Sequence, residues 1–125
     1  MTADGRMDQE AVRAFALSLP EAHAGAHQGG PDLRVRNKIF ATLPVGTGRV
    51  HMKVAPAHLP LLIQRDPDVF SDVWAGKWAG VRLDAADPAE VRQLLIDAYR
   101  LVAPAKLAAS VSDDAPEMAR AVRST

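Results

Sequence analysis

Cysteine is absent from the 125 residues, which removes disulfides, thiolate nucleophiles and every cysteine-containing metal site at once. Aromatic residues are scarce, with three Phe, two Trp and one Tyr, and that scarcity disfavours recognition of single-stranded nucleic acid by base stacking. No apolar run approaches the roughly 18 residues of a membrane span. The start, MTADGRMDQE, is acidic and polar where a secretory signal would be basic and then apolar. Net charge is lacking too: 15 Lys and Arg balance 15 Asp and Glu, which at face value weighs against a polyanionic partner. These absences lead us to expect a cytoplasmic protein with no membrane contact. What is present is ordinary globular composition, 48% apolar and 24% charged, in a chain long enough for one core and too short for two.

Residues 1–7 read as a flexible leader, because small polar residues around Asp4-Gly5 offer nothing to bury. A single domain is expected over residues 8–109. Asp8 can cap a helix in which Val12, Phe15, Ala16 and Leu19 recur at three- and four-residue spacing. Pro20 ends it. The glycine-rich stretch from Glu21 to Pro31 reads as a short strand or extended loop with a turn at Gly29-Gly30. Three alternating runs follow, Asp32 to Arg36, Lys38 to Leu43 and Arg49 to Val54. Their period of two sets Leu33 and Val35 against Arg34 and Arg36, Ile39, Ala41 and Leu43 against Lys38, Phe40 and Thr42, and Val50, Met52 and Val54 against Arg49, His51 and Lys53. That is a meander with one packed face and one wet face.

Pro56 opens a short helix bearing Leu59, Leu62 and Ile63, closed by Asp66-Pro67. Val69 to Trp74 is a weak extended piece, and Trp78 to Leu83 a better strand with Trp78, Gly80 and Arg82 on one side. The last long helix carries the clearest signals: Asp87 as N-cap, Pro88 first, Glu90 three after the cap, and an apolar stripe of Val91, Leu94, Leu95, Ala98, Leu101 and Val102. Residues 110–125 are either a loose tail or carry a final short helix over Glu117 to Val122. Helix, strands, helix, strands, helix is the order of an α+β two-layer sandwich, an antiparallel sheet with its helices on one face.

Lys38-Ile-Phe-Ala, Val50-His-Met-Lys-Val-Ala-Pro, Trp78 with Val81-Arg-Leu, and Leu94-Leu-Ile-Asp-Ala-Tyr-Arg-Leu-Val together resemble the MmcQ/YjbR family of small bacterial proteins, over about Val12 to Leu107. The resemblance implies a CyaY-like α+β fold, also compared with a double-wing DNA-binding domain, which is why members are often labelled DNA-binding. It implies no established catalytic residues and no cofactor. The family often has Ser-Tyr in the last helix where this chain has Ala98-Tyr99.

The zero net charge is a sum of unlike parts. Residues 1–32 carry −3, residues 33–65 carry +6 with no acid at all, and residues 66–125 carry −3. Arg34, Arg36, Lys38, Arg49, His51 and Lys53 are therefore the candidate nucleic-acid-binding residues, able to share one sheet face if their strands are neighbours. The competing reading makes them ordinary solvated strand positions, some neutralised by acids from elsewhere. One or both of Trp74 and Trp78 are read as closing the core against the last helix; alternatively they wall a ligand or peptide cleft with Lys53, Lys77 or Arg82 as anion anchors. His23 and His27 flank Gly25, a poor metal-binding geometry. With no activated nucleophile or phosphate loop, an enzyme is not expected, nor any cofactor or metal. Nucleic acid is the partner this favours, bound by a monomer or homodimer.

Overall fold

In the computed structural model, which describes residues 5–27 and 30–113, the described residues form six strands and four helices. They run α1 (Gln9–Leu17), β1 (Ala22–His27), β2 (Gly30–Val35), β3 (Lys38–Thr42), β4 (Arg49–Lys53), α2 (Leu59–Arg65), β5 (Phe70–Asp72), β6 (Trp78–Arg82), α3 (Pro88–Val102) and α4 (Ala105–Ser110). The strands make one sheet in the order β1-β2-β3-β4-β6-β5, and every neighbouring pair is antiparallel. The expected α+β sandwich is thus the observed class. The stretch expected as a strand or loop from Glu21 is an edge strand.

Local chemistry explains the turns. The β2–β3 connection is two residues long, Arg36 and Asn37, both at positive φ (50° and 64°), with Val35 paired to Lys38. Positive φ at both central residues is the mirror-image turn whose twist matches that of the strands, and Asn tolerates it. Between Leu33 and Arg34 the register slips, the two pairing with Ala41 and Ile39. Phe40 is therefore the extra residue of a bulge. Strict alternation had set Phe40 on the wet face; the bulge instead turns it inward, fully buried beside Ala41.

Phe40 meets Tyr99 of α3 edge to face, with ring centroids 5.8 Å apart at 89°. Around them one face of the sheet contributes Leu33, Val35, Val50, Met52, Ala79 and Val81, and α3 contributes Val91, Leu94, Leu95, Ala98 and Val102. Burying each large aliphatic side chain contributes roughly 1.5–3 kcal/mol. The expected apolar stripe differs at one end: Leu101 is 45% exposed, whereas Tyr99 is fully buried. Tyr99 can be, because its hydroxyl donates to the Pro20 carbonyl at 2.7 Å, satisfying its polar end and pinning α3 to the α1–β1 junction.

Two helix starts follow their sequence signals. The Asp8 carboxylate accepts from the Ala11 amide at 2.8 Å, a bond that holds its pKa below the usual carboxylate value. Asp87 caps α3 through the Ala89 amide at 3.2 Å. Arg65 at the end of α2 donates to Glu90 of α3 at 2.9 and 2.5 Å, fastening the two helices.

The leader expectation needs correction at its end. Met7 is only 3% exposed and belongs to the core, and the Arg6 guanidinium donates to the carbonyls of Ala85 and Ala86 at 3.3 and 2.8 Å. Order therefore begins before Asp8, because Met7 supplies an apolar anchor. At the other end, Arg100 holds Asp113 and the Val111 carbonyl. The helix expected over Glu117 to Val122 lies outside the described residues.

Candidate nucleic-acid interface

Among the described residues, the helices that touch the sheet lie on the face carrying Val50, Met52, Ala79 and Val81. On β4 and β6 the alternate residues therefore point to the open face: Arg49, His51 and Lys53 from β4, and Trp78, Gly80 and Arg82 from β6. The register joins them as three cross-strand pairs, Arg49 with Arg82, His51 with Gly80, and Lys53 with Trp78. Beside them on β5, Ser71 pairs with Gly80.

The turn after β5 completes this half of the face. Ala75 and Gly76 take positive φ (49° and 81°), and the Gly76 amide is held by the Asp72 carboxylate at 3.0 Å. The turn swings Trp74 back over the sheet, where its ring stands 5.0 Å from that of Trp78 and 5.9 Å from that of His51, both edge to face. Trp74 is 47% exposed. Gly80 makes the arrangement possible, since a Cβ there would lie 2.8 Å from Ser71 Oγ and 2.9 Å from Val73 Cγ1. Neither Trp closes the core against α3, as the sequence had suggested; strand alternation sends both to the other side.

The six candidate cationic positions do not act as one set. Arg49, His51 and Lys53 share the open face, but His51 is half-buried, and burial followed by the charge of Arg49 pushes its pKa down, so it is neutral at pH 7. Arg34 also faces outward, yet it forms a fork with Asp32, Nε to Oδ1 at 2.7 Å and a second bond at 2.9 Å. Asp32 lies one residue before the acid-free segment and is itself buried. The pair rests on Gly25, where a Cβ would come within 2.5 Å of Arg34 Nε. Arg36 sits in the positive-φ turn and donates to Glu21 at 2.6 and 3.1 Å; this bond holds the Glu21 pKa down and raises that of Arg36. Lys38 pairs with buried Val35, which puts it on the helix side. The acids that neutralise Arg34 and Arg36 come from the chain just before the basic segment, not from the last helix.

The four candidate cleft residues also divide. Trp74, Lys77 and Trp78 gather at one end. Arg82 lies beside Arg49 about 13 Å further along β6, at ~3.3 Å per residue. Among the described residues, neither the Arg49 guanidinium nor the Lys53 and Lys77 ammonium groups form an ion pair. Ser71 was not anticipated; its clue was Gly80, a glycine inside an alternating strand, which marks a close approach.

Asp32, Thr42 and His51 lie in one cross-strand row, but the Asp32 and His51 backbones are about 9.5 Å apart across two strand spacings and the carboxylate is occupied by Arg34. This is no catalytic triad. Among the described residues no group of three His, Asp or Glu could hold a metal ion. No described helix is long and apolar enough to cross a membrane.

Fold and surface together define a small α+β domain whose antiparallel sheet is covered by helices on one side and carries cations and a tryptophan pair on the other. The YjbR family model matches residues 17–101, and the chain belongs to the YjbR family. Its fold is similar to the crystal structure of Deinococcus radiodurans protein DR2400, a DUF419 protein, with a TM-score of 0.70, 19% identity, and coverage of 78% of this chain and 79% of that one. No curated protein matches the sequence.

Proposed function

We propose that this YjbR-family protein is a non-enzymatic nucleic-acid-binding domain that lays a single strand along the β4–β6–β5 half of its open face. The observation that carries the reading is the coincidence, on a surface that no described helix covers, of two cations without an ion pair among the described residues, Arg49 and Lys53, with the exposed Trp74 and half-buried Trp78, while Lys77 stands in the turn between the two Trp. Cations track the phosphates and aromatic faces stack bases, a combination that suits single strands. The scarcity of aromatic residues matters less once the two Trp are neighbours. No described helix protrudes from this face to enter a groove, so duplex readout is less favoured. One copy supplies every residue the reading needs. It acts where nucleic acid is, in the cytoplasm, without a cofactor.

The test is fluorescence anisotropy of a labelled, unphosphorylated single-stranded oligonucleotide at low salt. Binding is expected, with quenching of Trp fluorescence, and Arg49→Glu with Lys53→Glu abolishes it in a protein that still melts cooperatively. Arg36→Glu leaves it in place. No binding at low salt, where phosphate contacts are strongest, overturns the proposal.

A further inference from the structure

The Arg49–Arg82 pair is unusual for a sheet. The two occupy directly opposed positions on adjacent strands, and like charges so placed repel. Arg49 forms no ion pair among the described residues. Arg82 forms a solvent-exposed salt bridge with Asp84 at 3.2 Å, the Asp84 side chain being 72% exposed, and donates to the Asp68 carbonyl at 3.3 Å, so its pairing is one an incoming anion can replace. Both arginines line a concavity of about 260 Å³ whose other walls are Pro67, Asp68, Val69, Phe70 and Ser71. That is below the ~300–1,000 Å³ of sites that enclose drug-sized molecules, and suits one anionic head group. Two guanidinium forks and one hydroxyl are donors matched to the several oxygens of a phosphate.

We propose that Arg49, Arg82 and Ser71 form a pocket for a phosphomonoester, the doubly charged terminal phosphate of a strand or of a small phosphorylated ligand. A dianion between the two guanidinium groups converts their mutual repulsion into two attractions. Asp68 at the rim works against any anion, and a dianion facing two arginines overcomes that better than a singly charged backbone diester does. The pocket lies at the Arg82 end of the face, so a bound terminus would leave the chain running toward Lys53 and Trp78. This deepens the preceding reading and rests on it for the strand, though not for the phosphate.

The experiment compares binding of the full chain to one short single strand carrying a 5′-phosphate, a 3′-phosphate or neither, alongside inorganic phosphate and a nucleoside monophosphate in a thermal-shift assay. One phosphorylated end is expected to bind about tenfold tighter than the bare strand, the gain from one added charge-assisted contact. Arg82→Met, and separately Ser71→Ala, should bring the phosphorylated strand back toward the bare one; the serine variant guards against a folding defect in the first. Equal affinity for all three strands overturns the pocket and leaves the strand reading standing. Stabilisation by inorganic phosphate or the monophosphate, dependent on Arg82 and without any strand binding, supports the pocket, assigns it to a small ligand, and overturns the strand reading. No response in either assay overturns both.

Discussion

Substituting Lys53 by Met removes one unpaired cation from the open face while keeping the stem that lies beside Trp78, its cross-strand partner. The magnitude follows from counting charges. Among the described residues, Arg49 and Lys53 on the face and Lys77 in the turn beside it are the cations that a strand on this path would meet without an ion pair of their own, and each phosphate neutralised on a single strand contributes about −0.7 to the slope of log affinity against log salt. Three contacts give a slope of about −2, a loss of roughly twentyfold in affinity between about 50 and about 200 mM salt. Lys53→Met should lower the slope to about −1.4 and that loss to about sevenfold. The assay is an anisotropy titration of an unphosphorylated single strand at several salt concentrations. Arg36→Met serves as the control, because Arg36 already carries Glu21 and stands in a turn, so its removal should leave the slope unchanged. A slope unaffected by Lys53→Met, or lowered as much by Arg36→Met, would refute the assignment of the path.

Further expectations concern three residues, two in the frame that presents this surface and one on the face itself. Tyr99→Phe should lower stability by about 1 kcal/mol in urea unfolding, the loss of one hydrogen bond whose acceptor carbonyl lies on exposed Pro20 and can find water. Burial first, and then the charge of Glu21, raise the Tyr99 pKa, so the folded state holds the phenol proton longer; stability should fall above about pH 10 in the wild type, and Tyr99→Phe should remove that part of the fall. Gly25→Ala drives a Cβ to 2.6 Å from the Asp32 carboxylate, and overpacking of about 1–3 kcal/mol is expected; an unchanged urea midpoint would refute the close approach. His51 is held uncharged by burial and Arg49, so its folded pKa lies below its unfolded one. The unfolded chain then gains protons first as pH drops below about 6.5. Stability should decline there until folded His51 itself titrates, and His51→Gln should make that decline shallower.

The layer arrangement was legible in the sequence because it rests on periodicity. Apolar residues at three- and four-residue spacing in α3, and at alternate positions in β4 and β6, settle which faces are buried. Phe40 escaped because a bulge is a register event between two strands, invisible in either alone. Met7 escaped because one apolar residue in a polar leader has no pattern. The site was half legible. Alternation correctly grouped Arg49, His51 and Lys53, but long-range pairing decided the rest. Placing β6 between β4 and β5 brings Trp74 and Trp78 to the basic residues and sets Arg82 opposite Arg49. The neutralisation of Arg34 and Arg36 was missed because Asp32 and Glu21 precede the acid-free run, by one and by twelve residues. Segment charge describes the chain, whereas ion pairs depend on who faces whom.

The central claim is that the open β4–β6–β5 face receives the strand. Nuclear magnetic resonance of the isotope-labelled protein, titrated with a single-stranded oligonucleotide at low salt, tests it directly. The indole N–H signals of Trp74 and Trp78 and the amides of β4 and β6 should shift together, while those of α3 and of the Arg36-Asn37 turn stay in place. Shifts confined to the helices or to that turn, or none at all, would contradict the account.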